Sequence, residues 1–373
     1  MKVLSPFKSL LELWNRYERP LAAGSLIIGF IFDLFIAKRP DSVYDNLLLV
    51  SYLFIAGALI IILNLRQTRR RDEILNTPPI FLLLILQFCF GGLSSNLLVL
   101  YGKSGTLAGS TLFLLILFAM LIGNEFLKTR YEQLRFNIAV YYLLLLTYAI
   151  IAVPTFIVHS IGTWVFLLSG AISLLIMVPF FLILRFVLLR GKKEKELLVE
   201  ARIIIVAIFI GFNCLYFLHI IPPVPLSLKE IGIYHSLTRL DTSAGSTGGI
   251  YSVSYEPAPW YVFWRDTSNT FTTTAGGKAA CFSSVFAPTG LSTPIFHTWE
   301  HYDSASGKWL TMLRIAFPIN GGRAAGYRGF TISVVTPGKW RCDVDSSDGT
   351  LIGRISFDVV DSSSTPQLST QTL

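Results

Sequence analysis

The feature that most constrains this fold is a succession of long apolar runs in the first 221 residues. Seven runs approach the length of a membrane-crossing helix, at about 21–37, 46–65, 79–100, 107–127, 137–158, 161–189 and 203–221. A helix needs roughly 20 residues to cross about 30 Å of hydrocarbon. The sequence therefore predicts an α-helical membrane bundle of about seven transmembrane helices at residues 21–221, with the lipid bilayer as its partner.

Basic residues predict the orientation of these helices, because cytoplasmic loops carry an excess of Lys and Arg. One set of predicted loops and helix ends holds 17 Lys and Arg residues, whereas the opposite set holds only Lys38, Arg39 and Lys103. We therefore expect a cytoplasmic N-terminus, with residues 1–20 forming a cytoplasmic interfacial helix. Everything after Ile221 is then expected outside the cytoplasmic membrane.

Composition changes at a proline-rich stretch, residues 222–240, which we interpret as a hinge. Pro222, Pro223 and Pro225 cannot continue a helix, so the last span should end there. Four apolar side chains of the hinge are expected to rest on the lipid surface, namely Leu226, Leu228, Ile231 and Ile233.

The remainder of the chain has the pattern of β structure. Runs typical of strands occur near 249–256, 260–265, 279–287, 295–302, 309–317, 327–335, 339–345 and 351–360, separated by Gly- and Pro-containing turns. This pattern predicts an all-β, Ig-like sandwich domain at residues 241–361. The polar tail, residues 362–373, has no apolar pattern and is predicted to be disordered.

The net charge of +8 does not indicate nucleic-acid binding. Residues 1–220 hold 20 Lys/Arg and 12 Asp/Glu, whereas residues 221–373 hold 11 of each. A nucleic-acid binder would show a basic face on its soluble domain, so no such partner is predicted. No nucleophile elbow, HExxH pattern or phosphate-cradling loop occurs, so we predict no catalytic residue, metal or cofactor, and favour a binding protein over an enzyme.

Several short motifs follow one another in the C-terminal part: His297-Thr298-Trp299, Tyr327-Arg328, the PGKWR run at 337–341, and Asp348-Gly349 followed by Gly353 and Phe357. In this order and spacing, the stretch from about Ile295 to Val360 resembles the domain-of-unknown-function family 2914. The hinge is similar to the junction of membrane-anchored members. Arg328 is followed by Gly329-Phe330, where that family leads us to expect a more polar or Trp-containing run. The resemblance implies a bacterial envelope protein with a small extracytoplasmic β-domain, and it implies no activity. With the orientation predicted above, we expect a multi-pass inner-membrane protein whose β-domain is periplasmic.

Three residues are candidates for contact with an anion or an acidic partner, namely Tyr327, Arg328 and Arg341. Arginine offers a bidentate fork that suits a carboxylate or phosphate. The alternative for Arg341 is an ion pair with Asp343 or Asp345 within the domain.

His297, Trp299, His301 and Asp303 occupy alternate positions, so a strand would point them to one face. Histidines and a carboxylate are metal ligands. Residues four apart on a strand are about 13 Å apart, however, so we predict no metal site. We expect Trp299 to pack in the core and His297 to make a buried hydrogen bond or lie at the rim. Both remain candidates for contact with a ligand or partner.

Cys281 and Cys342 are the two cysteines after the hinge. Two alternatives are open: a disulfide between the sheets, which needs Cα atoms within roughly 7 Å, or two separate buried thiols. Asp33 is the clearest ionisable residue within a predicted span and is the candidate intramembrane functional residue.

Three functional hypotheses follow from these patterns. The favoured one is a membrane-anchored binding or scaffolding protein that contacts an envelope protein or glycan through loops or an exposed edge strand. The second is a transporter or channel whose β-domain covers the outer mouth, with Asp33 facing a hydrated cavity. The third is an envelope enzyme with its site at the membrane surface.

Overall fold

A computed structural model describes residues 21, 24–33, 42–69, 80–103, 130–188, 192–221, 224–240, 250–262, 265–273, 276–323, 325–362 and 366–373. The chain divides into two compact units, one helical and one built of β-strands.

Six helices are present in the described part of the helical unit. A short helix, α1, spans Gly24–Asp33. The longer helices are α2 (Val43–Arg69), α3 (Ile80–Lys103), α4 (Arg130–Ala152), α5 (Thr163–Leu188) and α6 (Lys192–Phe217). These five helices are long and apolar enough to cross a membrane. A helix suits such sequences because it satisfies every backbone hydrogen bond within its own segment.

The helix boundaries agree with the predicted spans in part. The predicted span at 107–127 and the predicted interfacial helix at 1–20 lie outside the described residues, so seven helices are not seen. The last predicted span, 203–221, corresponds to α6. This helix is longer than the predicted span because it already begins at Lys192. The Lys- and Glu-rich residues 192–202, which lie between the last two predicted spans, are helical, in keeping with the high helix propensity of Lys and Glu.

The connection between α4 and α5 is as tight as the sequence suggested. Pro154 lies in a π-helical turn, Val153–Val158, that continues α4. A proline removes one main-chain donor, and a widened turn is a common response. The chain then reverses through His159, with φ of 54°, and Gly162, with φ of 145°.

Close backbone approach joins α1 to α3. A Cβ atom added to Gly29 would overlap the carbonyl group of Phe88, and one added to Gly91 would overlap the carbonyl group of Leu26. Small residues at such crossings allow helices to pack tightly in lipid. These glycines therefore determine how closely the two helices can pack.

The β unit contains eleven strands among its described residues: β1 (Ser227–Tyr234), β2 (Ser236–Leu240), β3 (Ile250–Tyr255), β4 (Thr270–Thr273), β5 (Lys278–Phe286), β6 (Ser292–Asp303), β7 (Lys308–Asn320), β8 (Tyr327–Val334), β9 (Gly338–Asp345), β10 (Leu351–Asp361) and β11 (Ser369–Thr372). They form a five-stranded sheet in the order β4-β10-β9-β6-β7 and two three-stranded sheets, β1-β5-β8 and β11-β3-β2. All neighbours are antiparallel except β4 and β10.

The sheet β1-β5-β8 lies between the other two sheets. Its inner face packs on the five-stranded sheet through side chains that include Cys281, Trp299 and Trp340. Its outer face packs on β11-β3-β2 through Ala280, Phe282, Tyr251 and Val253, together with Tyr234. This double coverage explains why β5 is buried from Ala279 to Phe286.

Three predicted boundaries in this half need correction. The hinge at 222–240 instead contains β1 and β2, and Leu226 and Ile233 are buried in the β unit rather than lying on lipid. Leu228 and Ile231 pack beside the same core. The tail at 362–373 is not disordered where it is described, because β11 pairs with β3. The expected strand at 260–265 is absent from residues 260–262, which form a turn preceded by Pro257 and Pro259.

Candidate functional site

The two aromatic candidates on β6 lie in the interior of the β unit. His297 and Trp299 are both fully buried. Nε2 of His297 lies 2.7 Å from the hydroxyl of Ser283, and Nδ1 lies 3.0 Å from the hydroxyl of Thr331. The indole N–H of Trp299 donates to the same Thr331 oxygen at 2.9 Å. The expectation that these two side chains contact a partner is therefore corrected, because they form an internal hydrogen-bonded cluster.

Burial also determines the charge of this cluster. It lowers the pKa of His297 from 6.5 to about 4, because the interior disfavours the charged ring. A neutral imidazole with its proton on Nε2 satisfies both contacts, donating to Ser283 and accepting from Thr331. The ring is therefore a structural hydrogen-bonding group at neutral pH.

Cys281 and Cys342 face each other between the two sheets and form a disulfide, with Cα atoms 6.6 Å apart. Their sulfurs and a ring nitrogen of His297 lie within 4.8 Å of one another, a grouping with the composition of a metal site. Metal binding requires thiolates, which a disulfide does not offer. Both ring nitrogens of His297 also face hydroxyl groups. In the oxidised form, the grouping is part of the core.

Arg341 is engaged within the five-stranded sheet. It pairs with Glu300 on the neighbouring strand β6, and its guanidinium lies 4.4 Å from the ring centre of Trp309. Asp343, which we considered as its partner, lies 3.9 Å away and is bound mainly by Arg354 through two hydrogen bonds of 2.6 and 2.5 Å. These contacts favour a structural role for Arg341 over capture of an external anion.

Asp345 is a half-buried acid at the end of β9. It accepts a hydrogen bond from the hydroxyl of Thr298 at 2.7 Å. Burial raises the pKa of its carboxyl from 3.8 to about 6. The side chain therefore titrates well above the ordinary range of an aspartate.

Tyr327 and Arg328 begin β8 and are both half-buried. Arg323 lies over the ring of Tyr327 at 4.9 Å, and Arg328 donates to the main-chain carbonyl of Leu373 at 3.1 Å. The unexpected Gly329 lies against the ring of Phe317 on β7, where a Cβ atom would overlap it. This packing explains why a glycine stands here, where the resemblance led us to expect a more polar or Trp-containing run.

The exposed surface on this strand comes directly after these candidates. Phe330, Ile332 and Val334 are 40, 48 and 54% exposed, and we call these three residues the β8 stripe. The small polar residues between them, Thr331 and Ser333, face the core instead. An apolar-out, polar-in strand is the reverse of the usual pattern for a half-buried strand in water.

The β8 stripe continues an internal apolar layer. Phe330 contacts Tyr251 at a ring separation of 6.0 Å, and Tyr251 belongs to the core between the β1-β5-β8 sheet and the β11-β3-β2 sheet. Among the described strands, β8 pairs only with β5, so it forms an edge of its sheet. The alternation in FTISV was visible in the sequence, but its direction was not, because it depends on Thr331 being needed inside.

Asp33, at the end of α1, is fully buried. Tyr52 on α2 donates to its Oδ1 at 3.4 Å, and Oδ2 has no hydrogen-bond partner among the described residues. A Cβ atom added to Gly92 on α3 would overlap this carboxyl group. The carboxyl group is thus packed closely among three helices.

Comparison with known protein families gives a match within the strand-rich part of the chain. Residues 292–359 match the model of a family described as Protein of unknown function (DUF2914). A search of curated proteins found no match.

Two solved structures are similar to parts of the chain. One is an immunoglobulin-like protein from Pseudomonas aeruginosa, with 14% identity over 34% of this chain and 97% of that one, at a TM-score of 0.19. Another is the Pseudomonas fluorescens alkylpurine DNA glycosylase AlkC bound to DNA containing an abasic site analog. It shows 10% identity over 87% of this chain and 99% of that one, at a TM-score of 0.19. Likeness at these scores carries no conclusion about ligand or activity.

The matched residues include the motifs at His297–Trp299, Tyr327-Arg328 and the PGKWR run at 337–341 that suggested a resemblance. They extend from β6 through β10. They therefore include Cys342, one of the two cysteines of the disulfide, as well as the buried His297 and the β8 stripe. Residues 292–359 of this chain therefore match DUF2914, a family of proteins of unknown function.

Proposed function

We propose that this chain is a membrane-anchored binding protein of the bacterial envelope. Its β unit would capture an extended segment of a partner protein along β8. The observation that carries the proposal is the β8 stripe, an exposed apolar row on an edge strand.

Anchorage is supported by the five helices that are long and apolar enough to cross a membrane. The uneven distribution of basic residues, 17 against three, supports a cytoplasmic N-terminus and a periplasmic β unit. A periplasmic location also suits the Cys281–Cys342 disulfide, because such bonds persist in oxidising compartments.

An extended peptide fits β8 better than a glycan does. An edge strand presents main-chain N–H and C=O groups that can pair with another strand. Side chains at every second position then discriminate between sequences. The β8 stripe has no charged member, whereas a glycan needs hydrogen-bonding groups to replace its water. We therefore expect an apolar partner segment with alternating side chains.

The proposal is tested by photo-crosslinking in intact cells. A benzophenone amino acid is placed at Ile332 or Val334, and matched probes are placed at the inward-facing Ser333 and at the exposed Met312 on β7. We expect one partner to be captured from positions 332 and 334 only, and its crosslinked peptide to map to an extended apolar segment.

A second arm tests the chemistry of the surface. With the probe at Phe330, the double variant Ile332→Glu/Val334→Glu should lose the crosslink, because charged side chains would oppose an apolar segment. Met312→Glu places a charge on another exposed apolar site and should leave the crosslink intact. Unchanged capture by the double variant would refute β8 as the binding edge.

The transporter hypothesis is weaker on this geometry. It required Asp33 to face a hydrated cavity, whereas its carboxyl group packs against Gly92 and Tyr52. The enzyme hypothesis lacks a specific observation in its favour among the described residues.

A further inference from the structure

An open groove of about 390 Å³ runs between α5 and α6 in the helical unit. Met177 and Ile205 are buried in it, while Val178, Leu182 and Val206 are 52, 60 and 51% exposed along it. Apart from two arginines, every side chain that lines the groove is apolar. The groove is therefore an open apolar surface between the two helices.

The two arginines, Arg185 and Arg202, lie at the same end of this groove. Arg185 comes one turn after Leu182 near the end of α5, and Arg202 comes one turn before Val206, ten residues after the start of α6. Residues three or four apart share a helix face, so both arginines share the faces that line the groove. The guanidinium of Arg202 also lies 5.7 Å from the ring centre of Phe181 on α5.

Neither arginine is paired with an acidic residue in the part of the chain that the structure describes. Glu200 is the acidic residue next to Arg202 in the sequence, and it pairs with Arg135 of α4 at 2.8 Å. Within the described ranges, no ion pair joins Arg185 or Arg202 to a carboxylate. Two positive charges thus lie at one end of the apolar groove.

We infer that this groove binds one anionic phospholipid of the cytoplasmic leaflet. Its acyl chains would lie along the apolar side chains, and its phosphate would accept hydrogen bonds from Arg185 and Arg202. A lipid fits because it combines a long apolar body with one negative head, as the groove combines an apolar body with two positive charges. The inference rests on the membrane anchorage proposed above, which places the arginine end of the groove towards the cytoplasmic surface.

The test uses the full-length protein purified in a non-ionic detergent, with lipid binding followed by native mass spectrometry. The probes are phosphatidylglycerol, phosphatidylcholine with the same acyl chains, and inorganic phosphate. We expect phosphatidylglycerol to bind more tightly than phosphatidylcholine, and phosphate alone to bind weakly. In Arg185→Gln/Arg202→Gln, affinity for phosphatidylglycerol should fall roughly fivefold for each arginine removed.

Matched variants separate the groove from general charge. Lys308→Gln also removes one positive charge, at an exposed position of β7 outside the groove, and should leave the lipid preference unchanged. Val206→Trp keeps both arginines but fills the channel, and should weaken phosphatidylglycerol binding. Thermal unfolding of each variant in the same detergent checks that it is folded.

Equal affinity for both lipids in the parent chain would overturn the lipid site, and so would an equal loss of affinity in Lys308→Gln and the double variant. Tighter binding of phosphate than of phosphatidylglycerol would also overturn it, in favour of a free anion site. Resistance of the protein to alkaline extraction from membranes tests anchorage independently. A chain that stays in the membrane yet shows no lipid preference contradicts only this inference.

Discussion

Trp299 and Thr331 are joined across two facing sheets by a hydrogen bond of 2.9 Å from the indole N–H to the hydroxyl oxygen. Trp299 belongs to β6 of the five-stranded sheet, and Thr331 to β8 of the neighbouring one. Because the same hydroxyl also contacts His297, Thr331 satisfies two buried polar rings. This requirement turns Thr331 inward and leaves Phe330 and Ile332 outside.

Replacing this hydroxyl should destabilise the β unit. Thr331→Val keeps the shape of the side chain but leaves the indole N–H and a ring nitrogen without a partner. Leaving a buried donor unsatisfied costs about 1–3 kcal/mol. We expect a loss of that size in the free energy of unfolding, measured by tryptophan fluorescence in denaturant. Thr270→Val, at an exposed site on β4, is the control and should have little effect. Equal stability of the two variants would contradict the role assigned to Thr331.

The Cys281–Cys342 disulfide closes a long loop and should stabilise the folded state. The two cysteines are 61 positions apart, for which loop-closure entropy gives about 4 kcal/mol. We expect Cys281→Ala/Cys342→Ala, or added reductant, to lower the thermal midpoint of the β unit. The unpaired Cys89 and Cys214 provide the control, since replacing both with serine should leave the response to reductant unchanged. A parent chain insensitive to reductant would argue against a formed bond.

His297 and Asp345 should give opposite pH dependences. The pKa of His297 is lowered by burial from 6.5 to about 4, so the unfolded chain takes up this proton first and stability is lost as pH falls from 6.5 to 4. The pKa of Asp345 is raised by burial from 3.8 to about 6, so its contribution is present at low pH and is lost as pH rises from 3.8 to 6. Between about pH 4 and 6, the two effects oppose each other in the parent chain.

Single variants should reveal each effect. Relative to the parent, the free energy of unfolding of His297→Gln should rise as pH falls from 6.5 to 4, by up to about 3 kcal/mol. Relative to the parent, that of Asp345→Asn should fall as pH drops from 6 to 4. Both are measured by denaturant unfolding across this pH range. If the difference in unfolding free energy between parent and variant did not change with pH for either variant, burial would not shift the pKa of these two groups.

The close contact of α1 and α3 predicts a sharp sensitivity to side-chain size. Gly91→Val should destabilise the helical unit by about 1–3 kcal/mol, because a Cβ atom at Gly91 overlaps the carbonyl group of Leu26. Gly24→Val and Gly211→Val are the controls, since no atom of the described residues lies within 4 Å of a Cβ atom at either position. Thermal unfolding in detergent distinguishes them. If all three variants lost the same stability, the cause would be the change of residue type and not the crossing.

The elements predicted best from the sequence were those whose buried positions show as a pattern of apolar residues. Long apolar runs predicted helices such as α2 and α5, and β-branched or aromatic runs between turns predicted β3 and β5 to β10. The strand β11 was missed because STQT has no apolar alternation. Its stability comes from main-chain pairing with β3 and from Leu373, which packs against the adjacent core.

The candidate site was harder to predict because direction cannot be derived from alternation alone. Trp299 was correctly expected to pack in the core, and His297 makes the buried hydrogen bond that was one of its two expected alternatives. Their shared partner, Thr331, lies 32 and 34 positions away in the sequence. The exposure of the β8 stripe follows from that distant contact. Similarly, Glu300 was not considered for Arg341, because only the β6–β9 pairing places the two residues opposite each other.

The bond between Cys281 and Cys342 has a consequence for limited proteolysis. Both cysteines flank the exposed turn at 304–307, which is a natural place for a protease to cut. A chain nicked there would still migrate as one species on a denaturing gel without reductant. Its two fragments would separate only after the sulfur bridge is broken, so intact mobility alone would not report an uncut chain.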